Sequence, residues 1–343
     1  MPEAGRGQRK KPGAAVRSDR AGDPARWSSE ELQLRVAWYY YKDELTQDEI
    51  ARRLSVSRAS VGRMLDRARK VGLVSISLNA DHLGAFEVSR RLRQTFGLAE
   101  ALVIPDHETQ DGGDHHELNA RLGLGGAQFM STHLRPGGTL GVGWGETVSR
   151  VIASTSFGAV GPIHMVSLTG GVDAYLPAFL SSKGEGAAEG EMTSATVIPT
   201  PIVASTPELA TALKAEPAIQ SVLKQACDVD QAVVGVGTPT ADATIVQMGY
   251  LEAEDVRTLH DHHVAGDILG QFFDAAGRVV KLPIHDRRIG IDLADLTQIP
   301  KVTGVAGGLH KVDAILGALR GGFLDVLVTN ELTALRLLEL EGA

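Results

Sequence analysis

The sequence predicts an α/β protein with two unequal domains: a small N-terminal helix-turn-helix domain, winged-helix-like, and a larger α/β domain with a mainly parallel sheet. Three observations support this fold class. The chain has 343 residues, more than a single core usually fills. Its first 79 residues carry sixteen Lys and Arg against ten Asp and Glu, a formal charge of +6, whereas the rest carries −14 of the total of −8. Beyond residue 98, short apolar runs that end in glycine alternate with helical stretches.

The region before the larger domain divides into three predicted segments. Residues 1–26 are rich in Gly, Pro, Ala and Arg without periodicity, which predicts a disordered basic arm. A solubilising tail explains this composition equally well. Residues 27–79 are helical in pattern and end in the β-branched alternation of residues 74–78, a predicted short strand. Residues 80–97 are predicted to form a connector helix that stops at Gly97.

The segment from Leu45 onwards carries the most specific local pattern. Thr46 and Glu49 form a capping box, which satisfies backbone N–H groups at a helix start, so a helix is predicted to begin at Gln47. After a two-residue turn, Ser57 is predicted to cap a second helix. The residues predicted to be buried on these two helices are Ile50, Ala51, Leu54, Val61, Leu65 and Ala68.

A basic face on the second helix predicts DNA binding. Ser60, Arg63 and Arg67 recur at spacings of three and four, so they share one face. A recognition helix with such a face lies in the major groove, where residues near its start reach base edges and later ones, such as Arg69, contact phosphates. The competing interpretation is a surface helical hairpin whose arginines are only solvated. The residues predicted to bind DNA are Thr46, Gln47, Ser57, Arg58, Ser60, Arg63, Arg67 and Lys70.

The larger domain, residues 98–343, contains six apolar runs typical of buried parallel strands. They are residues 101–104, 139–143, 164–171, 232–237, 302–308 and 325–329. In open parallel sheets, ligands bind beyond the carboxyl ends of the strands. The segments predicted to converge on one crevice there are residues 143–147, 169–171, 235–238, 307–311 and 329–331.

Composition and cysteine usage narrow the class of protein. The chain is 43% hydrophobic and 22% charged, which is ordinary for a folded protein. It has no apolar run long enough to cross a bilayer and no signal-peptide pattern, so a cytoplasmic location without membrane contact is expected. The single cysteine, Cys227, is expected to be a buried, inert thiol rather than a nucleophile.

The run His260, Asp261, His262, His263 contains residue types that bind metal ions. Because the four residues are consecutive, which ligands of a tetrahedral site seldom are, a solvated loop is expected instead. No metal ion and no cofactor is predicted.

Several long motifs resemble one family of regulators. The chain contains WYYYKDELTQDEIARRLSVSRASVGRMLDRARKVGLVSISLN, GVGWGETV, VAGDILGQFFDAAGRVV and GVAGGLHKVDAILGALRGGFLDVLVTNELTA in this order. Over residues 32–340 it resembles the SorC/DeoR-type sugar-binding transcriptional regulators. The resemblance implies an effector domain related to sugar-phosphate isomerases and deaminases, and homodimers or homotetramers that change their hold on operator DNA when a ligand binds. The implied effector is a small phosphorylated sugar-like molecule: phosphorylated autoinducer-2, a pentose phosphate or a sugar-alcohol phosphate.

The resemblance also implies an effector pocket that includes Trp144, Asp267, Leu269 and Lys311. Lys311 supplies a point charge for phosphate, Asp267 accepts hydrogen bonds from hydroxyls, and Trp144 offers a flat apolar wall. Glycine-rich turns let backbone amides approach an anion, and a helix that begins just afterwards adds its positive end. The residues predicted to bind effector are Gly143, Trp144, Gly145, Glu146, Thr147, Gly170, Gly171, Asp267, Leu269, Gly307, Gly308 and Lys311.

The chain departs from the family at one position, because Asn330 stands where the family commonly has Asp. An acceptor-only group is thereby replaced by an amide that also donates, which leaves the exact ligand open.

Two functions from different classes agree with these patterns. The expected one is a ligand-responsive transcriptional regulator, acting as a repressor, without catalytic activity. The alternative is an enzyme of the sugar-phosphate isomerase or deaminase type fused to a DNA-binding head. Catalysis would need a positioned acid/base pair in the crevice, for which Glu146, Asp267 and Lys311 are the candidates.

Overall fold

The computed structural model describes residues 28–43, 45–74, 80–106, 115–181, 194–240, 243–251 and 253–342. The chain divides into two compact units, Met1–Leu78 and Asn79–Ala343. The basic arm and residues 75–78 of the short strand lie outside the described residues, so both remain predictions.

The first unit contains α1 (Ser29–Tyr41), α2 (Gln47–Leu54) and α3 (Arg58–Lys70). The Thr46 side chain accepts from the backbone N–H of Glu49, whose carboxylate reaches back to the Thr46 N–H, and the Ser57 side chain accepts from the N–H of Ser60. Both predicted helix starts are therefore confirmed. All six residues predicted to be buried on these helices are buried, and five of them form a small core with Val36 of α1.

The second unit contains the remaining helices and all the strands of the described part of the chain. The helices are α4 (Ala80–Phe96), α5 (His115–His133), α6 (Glu146–Ser154), α7 (Phe157–Val160), α8 (Val172–Ser181), α9 (Pro207–Ala215), α10 (Pro217–Cys227), α11 (Thr244–Gln247), α12 (Ala253–Asp261), α13 (Pro283–Arg287), α14 (Leu293–Leu296), α15 (Val312–Arg320) and α16 (Glu331–Glu341). The strands are β1 (Glu100–Ile104), β2 (Thr139–Val142), β3 (His164–Ser167), β4 (Ser194–Thr196), β5 (Gln231–Val234), β6 (Val264–Ile268), β7 (Gln271–Asp274), β8 (Val302–Val305) and β9 (Val326–Asn330). None of the described helices combines the length and the apolar character needed to span a bilayer.

Seven strands form one sheet in the order β1-β9-β8-β5-β2-β3-β4, and every neighbouring pair is parallel. The residues of β8 and β9 are buried throughout, as expected for strands covered on both faces. The predicted parallel sheet is confirmed, and each of its six apolar runs contains a strand. The remaining two strands, β6 and β7, pair as an antiparallel hairpin outside this sheet.

The predicted connector helix is present as α4. It ends at Phe96, and Gly97 follows with a φ of +68°, a backbone conformation that favours glycine at a helix end. Leu92 on α4 is fully buried, and the hydroxyl of Ser89 accepts a hydrogen bond from the N–H of Val103 in β1 (3.2 Å). Helix α4 therefore packs within the second unit, against β1 and α16.

Candidate functional site

A cavity of about 390 Å³ opens at the carboxyl end of the parallel sheet, beside β2 and β5. These strands are neighbours, but β3 and β4 extend the sheet beyond β2, whereas β8 and β9 extend it beyond β5 on the other side. A reversal of this kind leaves a crevice in which open α/β sheets bind ligands. The volume suits a small molecule.

The segment after β2 forms one wall of the cavity. Trp144 is 9% exposed and meets the ring of Tyr250 edge-on, with centroids 6.4 Å apart. Gly145 has a φ of +114° and precedes α6 as its N-cap without a side-chain capping hydrogen bond. The first residues of α6, including Thr147, line the cavity, so the helix presents its positive end there.

Glu146 organises a polar wall together with α5. Its carboxylate contacts His116 Nδ1 (2.8 Å), accepts from Asn119 Nδ2 (2.9 Å) and accepts from Arg150 Nη2 (2.8 Å). Burial alone would raise the pKa of Glu146, but hydrogen bonds from His116, Arg150 and Asn119 outweigh it and lower the pKa. The Thr147 hydroxyl donates to Asn119 Oδ1 (3.1 Å). The Glu146 carboxylate is therefore a fixed, ionised part of the wall.

The hairpin β6–β7 brings Asp267 and Leu269 to the cavity. Its turn residues, Leu269 and Gly270, have φ angles of +56° and +72°, as the central residues of a type I′ turn have. Asp267 is 5% exposed, and its Oδ2 accepts a hydrogen bond from the Gly270 N–H (3.0 Å). Burial raises the pKa of Asp267 to about 6, against the opposing effects of the Gly270 hydrogen bond and the positive charges of Lys311 and Arg288.

Gly237, just after β5, lies unusually close to the Asp267 carboxylate. The two residues exchange backbone hydrogen bonds of 2.9 and 3.1 Å. A Cβ atom added to Gly237 would lie 2.0 Å from Asp267 Oδ1, which is far inside van der Waals contact. The position of the carboxylate thus depends on the absence of a side chain at residue 237.

Lys311 approaches the same strand end from a short 3₁₀ helix, Leu309–Lys311, that precedes α15. Its Nζ donates to the carbonyl oxygen of Val236 (3.1 Å), the residue before Gly237. The Lys311 side chain is half-buried and lines the cavity. The cavity therefore combines an ammonium group, a buried carboxylate and a helix N-terminus.

The predicted DNA-binding residues lie along α2 and α3 of the first unit. Arg58, Arg63, Arg67 and Lys70 are exposed, and Arg58 forms an exposed ion pair with Asp48 (3.5 Å). The Arg63 guanidinium donates to the Ser60 hydroxyl.

Thr46 and Ser57, the N-cap residues of α2 and α3, form hydrogen bonds within their own helix starts. The Thr46 hydroxyl donates to Glu49 (2.7 Å), and the Ser57 hydroxyl accepts from the backbone N–H of Ser60 (3.1 Å). Gln47 approaches α3 near Gly62. The side chains of Thr46 and Ser57 thus cap helices, while the four cations face outward.

Residues 81–339 match the sugar-binding domain family. Over 319 residues the chain is 38% identical to the transcriptional regulator LsrR of Enterobacter sp. (strain 638), a match that covers 92% of this chain and 95% of that protein. This chain is a member of the SorC/DeoR-type sugar-binding transcriptional regulators. The predicted family is confirmed, and so is the predicted function class, a sugar-responsive transcriptional regulator.

Solved structures of similar fold belong to the same type of regulator. The full-length sorbitol operon regulator SorC from Klebsiella pneumoniae aligns with a TM-score of 0.66 and 27% identity, covering 91% of this chain and 99% of that one. A DeoR family transcriptional regulator from Listeria monocytogenes aligns with a TM-score of 0.65 and 28% identity, covering 74% of this chain and 99% of that one.

In this SorC/DeoR-type regulator, the cavity gathers seven of the residues predicted to bind effector: Trp144, Gly145, Glu146, Thr147, Asp267, Leu269 and Lys311. It also gathers residues absent from that prediction: His115, His116 and Asn119 of α5, Thr238 and Thr240 after β5, and His310. Two of these residues lie in segments that the sequence predicts at the crevice, Thr238 in residues 235–238 and His310 in residues 307–311. The α5 residues do not directly follow a strand and belong to no glycine-rich turn. No pattern in the sequence therefore indicates that they line the cavity.

Five predicted effector-binding glycines do not line the cavity: Gly143, Gly170, Gly171, Gly307 and Gly308. The Gly143 N–H donates to the Val233 carbonyl (2.8 Å) and so continues the sheet. The Gly308 N–H donates to Asn330 Oδ1 (3.0 Å) and Thr333 Oγ1 (2.8 Å), so this amide is already engaged. A Cβ on Gly170 would lie 2.3 Å from the Pro201 carbonyl oxygen, which gives this glycine a packing role.

Asn330 is buried and does not line the cavity. Its Oδ1 accepts from Gly308 N–H and from the Thr333 hydroxyl (2.6 Å), while its Nδ2 donates to both carboxylate oxygens of Asp106 (2.9 and 3.2 Å). Both the donor and the acceptor character of the amide are therefore used. The Asn330 amide therefore links β9 to the chain after β1.

We expect Asn330→Asp to lower the free energy of unfolding by about 1 to 3 kcal/mol, because a second carboxylate would replace the donor that faces Asp106. Since two adjacent carboxyl groups are relieved by taking up one proton, the loss should be larger at pH 8 than at pH 5. Urea unfolding at both pH values measures this. The double variant Asp106→Asn with Asn330→Asp should recover part of the loss; equal instability of both variants at both pH values would contradict the explanation.

Two further predictions concern reactive or metal-binding side chains. Cys227 is half-buried rather than fully buried, and burial raises the pKa of its thiol, which disfavours the nucleophilic thiolate. The run His260, Asp261, His262 and His263 is exposed throughout, as predicted, but His260 and Asp261 end α12, so the predicted loop is only partly right. Within the described ranges there is no cluster of three or more His, Cys, Asp or Glu side chains arranged to hold a metal ion.

Proposed function

We propose that this regulator binds operator DNA through α3 and adjusts that binding to a small phosphorylated sugar-like effector held in the cavity. The observation that carries this proposal is the cavity at the reversal between β2 and β5, which brings together Lys311, the start of α6 and Asp267. The relatives support it, because LsrR is named a transcriptional regulator and SorC a sorbitol operon regulator.

The chemistry of the cavity suits a ligand with two different ends. The Lys311 ammonium and the uncapped first turn of α6 attract an anion such as phosphate. The hydroxyls of Thr238 and Thr240 contact each other at 3.0 Å. These hydroxyls and the Asp267 carboxylate can hydrogen-bond to sugar hydroxyls. Trp144 supplies the apolar wall. Phosphorylated autoinducer-2, pentose phosphates and sugar-alcohol phosphates all share this chemistry.

We propose binding without turnover. Glu146, one of the three candidates for a general acid or base, accepts hydrogen bonds from two side chains and contacts a third, and its lowered pKa leaves it ionised at neutral pH. Such a carboxylate serves better as a fixed part of the wall than as a proton carrier. Incubation of the purified protein with pentose and hexose phosphates should return them unchanged.

We propose further that the protein acts in the cytoplasm as a symmetric homo-oligomer, a dimer or a tetramer. A single helix-turn-helix makes few base contacts, and two-fold pairing of heads reads half-sites spaced by whole turns of about 10.5 base pairs. Light scattering with and without operator DNA distinguishes these states from a monomer.

The test of the proposed function is operator binding by fluorescence anisotropy, with DNA from upstream of the regulator's own gene and a panel of sugar phosphates. At least one sugar phosphate should change wild-type affinity for operator but not for random duplex. Arg63→Ala should lose specific binding far more than random binding, because an arginine contact to guanine is worth about 1 to 3 kcal/mol of discrimination. Arg69→Ala, at a predicted phosphate contact, is the control and should weaken both equally. Equal losses on both duplexes for Arg63→Ala would make Arg63 a phosphate contact.

A further inference from the structure

Arg288 is a fully buried cation outside the lining of the cavity. It is 1% exposed and is the largest of the fully buried side chains in the described part of the chain. Burial lowers the pKa of its guanidinium, against the effect of Asp292, whose side chain is 61% exposed. Since a buried charge is costly to hold, its contacts need an explanation.

The guanidinium supports the turn that carries the effector-binding side chains. Nη1 donates to the carbonyl oxygen of Leu269 (3.3 Å), and Nη2 donates to the carbonyl oxygen of Ile291 (2.9 Å) and pairs with Asp292. The stem of Arg288 also packs beneath Gly270, where an added Cβ would lie 3.5 Å from Cδ. Arg288 therefore holds both residues of the Leu269–Gly270 turn.

That turn needs support, because Leu269 has a φ of +56° without being glycine. A residue in this conformation costs energy and persists only where its surroundings determine it. The Leu269–Gly270 turn also fixes Asp267, because Asp267 Oδ2 accepts a hydrogen bond from the Gly270 N–H. A continuous set of contacts thus leads from the buried guanidinium through Leu269 and Gly270 to the carboxylate in the cavity.

The segment around Arg288 is itself anchored. The Ile289 N–H donates to the Ile202 carbonyl, and the Ala204 N–H donates to the Arg287 carbonyl, both at 2.8 Å. His285 Nε2 accepts from the Phe272 N–H (3.1 Å), and burial lowers the pKa of His285 to about 4, so the ring remains a neutral acceptor. The hairpin therefore rests on a rigid support, of which Arg288 is the part that reaches the turn.

We propose that Arg288 is the positioning residue of the effector cavity: it holds the Leu269–Gly270 turn, and through it the Asp267 carboxylate, in the geometry that binds effector. The proposal rests on the proposed function for the identity of the ligand, but the support of the hairpin can be measured without any ligand.

The test compares Arg288→Met with Arg278→Met. Methionine keeps much of the buried volume without the charge, and replacing buried ions with apolar groups often preserves folding. Arg278 pairs with Asp274 at the other end of the same hairpin, but its side chain is 81% exposed, which makes it the matched control. Hydrogen exchange by mass spectrometry, without ligand, should show faster exchange in residues 264–274 for Arg288→Met and no change for Arg278→Met. Residues 326–330 of β9 should keep their protection in both.

Calorimetry with ribose 5-phosphate and sorbitol 6-phosphate adds the functional readout. Arg288→Met should weaken binding of whichever probe the wild type binds by about tenfold or more. In an Asp267→Ala background the same substitution should cost little, since a residue that acts through Asp267 is not additive with its loss. If Arg288→Met does not fold, Arg288→Lys, which keeps the charge but not the two-pronged geometry, takes its place in every measurement.

Unchanged exchange in residues 264–274 would overturn the proposal, as would fully additive losses with Asp267→Ala. If the wild type binds neither probe, these two sugar phosphates are excluded as effectors, whereas the exchange result still decides the role of Arg288.

Discussion

Gly237→Ala is expected to weaken effector binding by roughly ten- to a hundredfold, as much as removal of the Asp267 carboxylate itself. The added Cβ would lie 2.0 Å from Asp267 Oδ1, so the carboxylate must move. Moving a short side chain costs less than moving the sheet, and the fold should therefore persist while the hydrogen bonds from effector hydroxyls are lost. Calorimetry with the sugar phosphate that shifts wild-type operator binding measures the change.

The matched control for this substitution is Gly235→Ala, two residues earlier at the same strand end. There the added Cβ would meet Val148 Cγ2 at 3.6 Å and the Trp144 carbonyl oxygen at 3.7 Å, which are ordinary contacts. Gly235→Ala should keep most of the wild-type affinity. In an Asp267→Ala background, Gly237→Ala should have little further effect. Similar losses for both glycine variants would show that bulk in the cavity, rather than the position of Asp267, decides binding.

Lys311→Ala should lower affinity for a phosphorylated effector roughly ten- to a hundredfold, because a charge-assisted hydrogen bond contributes on the order of 1.5 to 3 kcal/mol. Coupling between ligand and DNA is reciprocal, so the variant should keep the operator affinity of the unliganded protein at effector concentrations that shift the wild type. Calorimetry and operator anisotropy together measure both effects. Asp267→Ala should behave similarly.

The control for Lys311→Ala is Lys281→Ala, which removes an exposed ammonium outside the cavity lining. It should leave both the effector affinity and the operator response unchanged. A Lys311→Ala protein that responds like the wild type would place the effector elsewhere in the domain.

Local chemistry explains which parts of the fold were predictable. The capping box at Thr46 and the cap at Ser57 depend on residues three apart, so the starts of α2 and α3 follow directly from the sequence. The parallel strands are short, continuously apolar runs because both faces are covered, and this too is visible in sequence. The edge strand β4 has only three residues with exposed or half-buried side chains, so no apolar run marked it.

The site was predictable where it follows a strand or matches the motifs of the family, and not where it depends on distant contacts. Trp144 and Lys311 lie next to glycine-rich turns that end apolar runs, whereas Asn119 approaches from a helix whose placement is decided by packing. The glycines show the same limit. Gly237 and Gly143 look alike in sequence, yet one leaves room for a carboxylate and the other continues the sheet. Arg288 gave no signal because a single arginine in sequence is usually exposed.

The order of strands in the sheet also determines when the ligand-sensing domain can exist during synthesis. Among the described strands of the seven-stranded sheet, β1 comes first along the chain, yet its only neighbour there is β9, the last. Pairing of β1 with β9 joins segments far apart in sequence, which is slow. The pairing cannot begin until residues 326–330 have left the ribosome. The three helices of the first unit are contiguous in sequence and contact one another. A growing or prematurely ended chain would therefore have the unit that we propose binds DNA before it has any means of responding to a sugar.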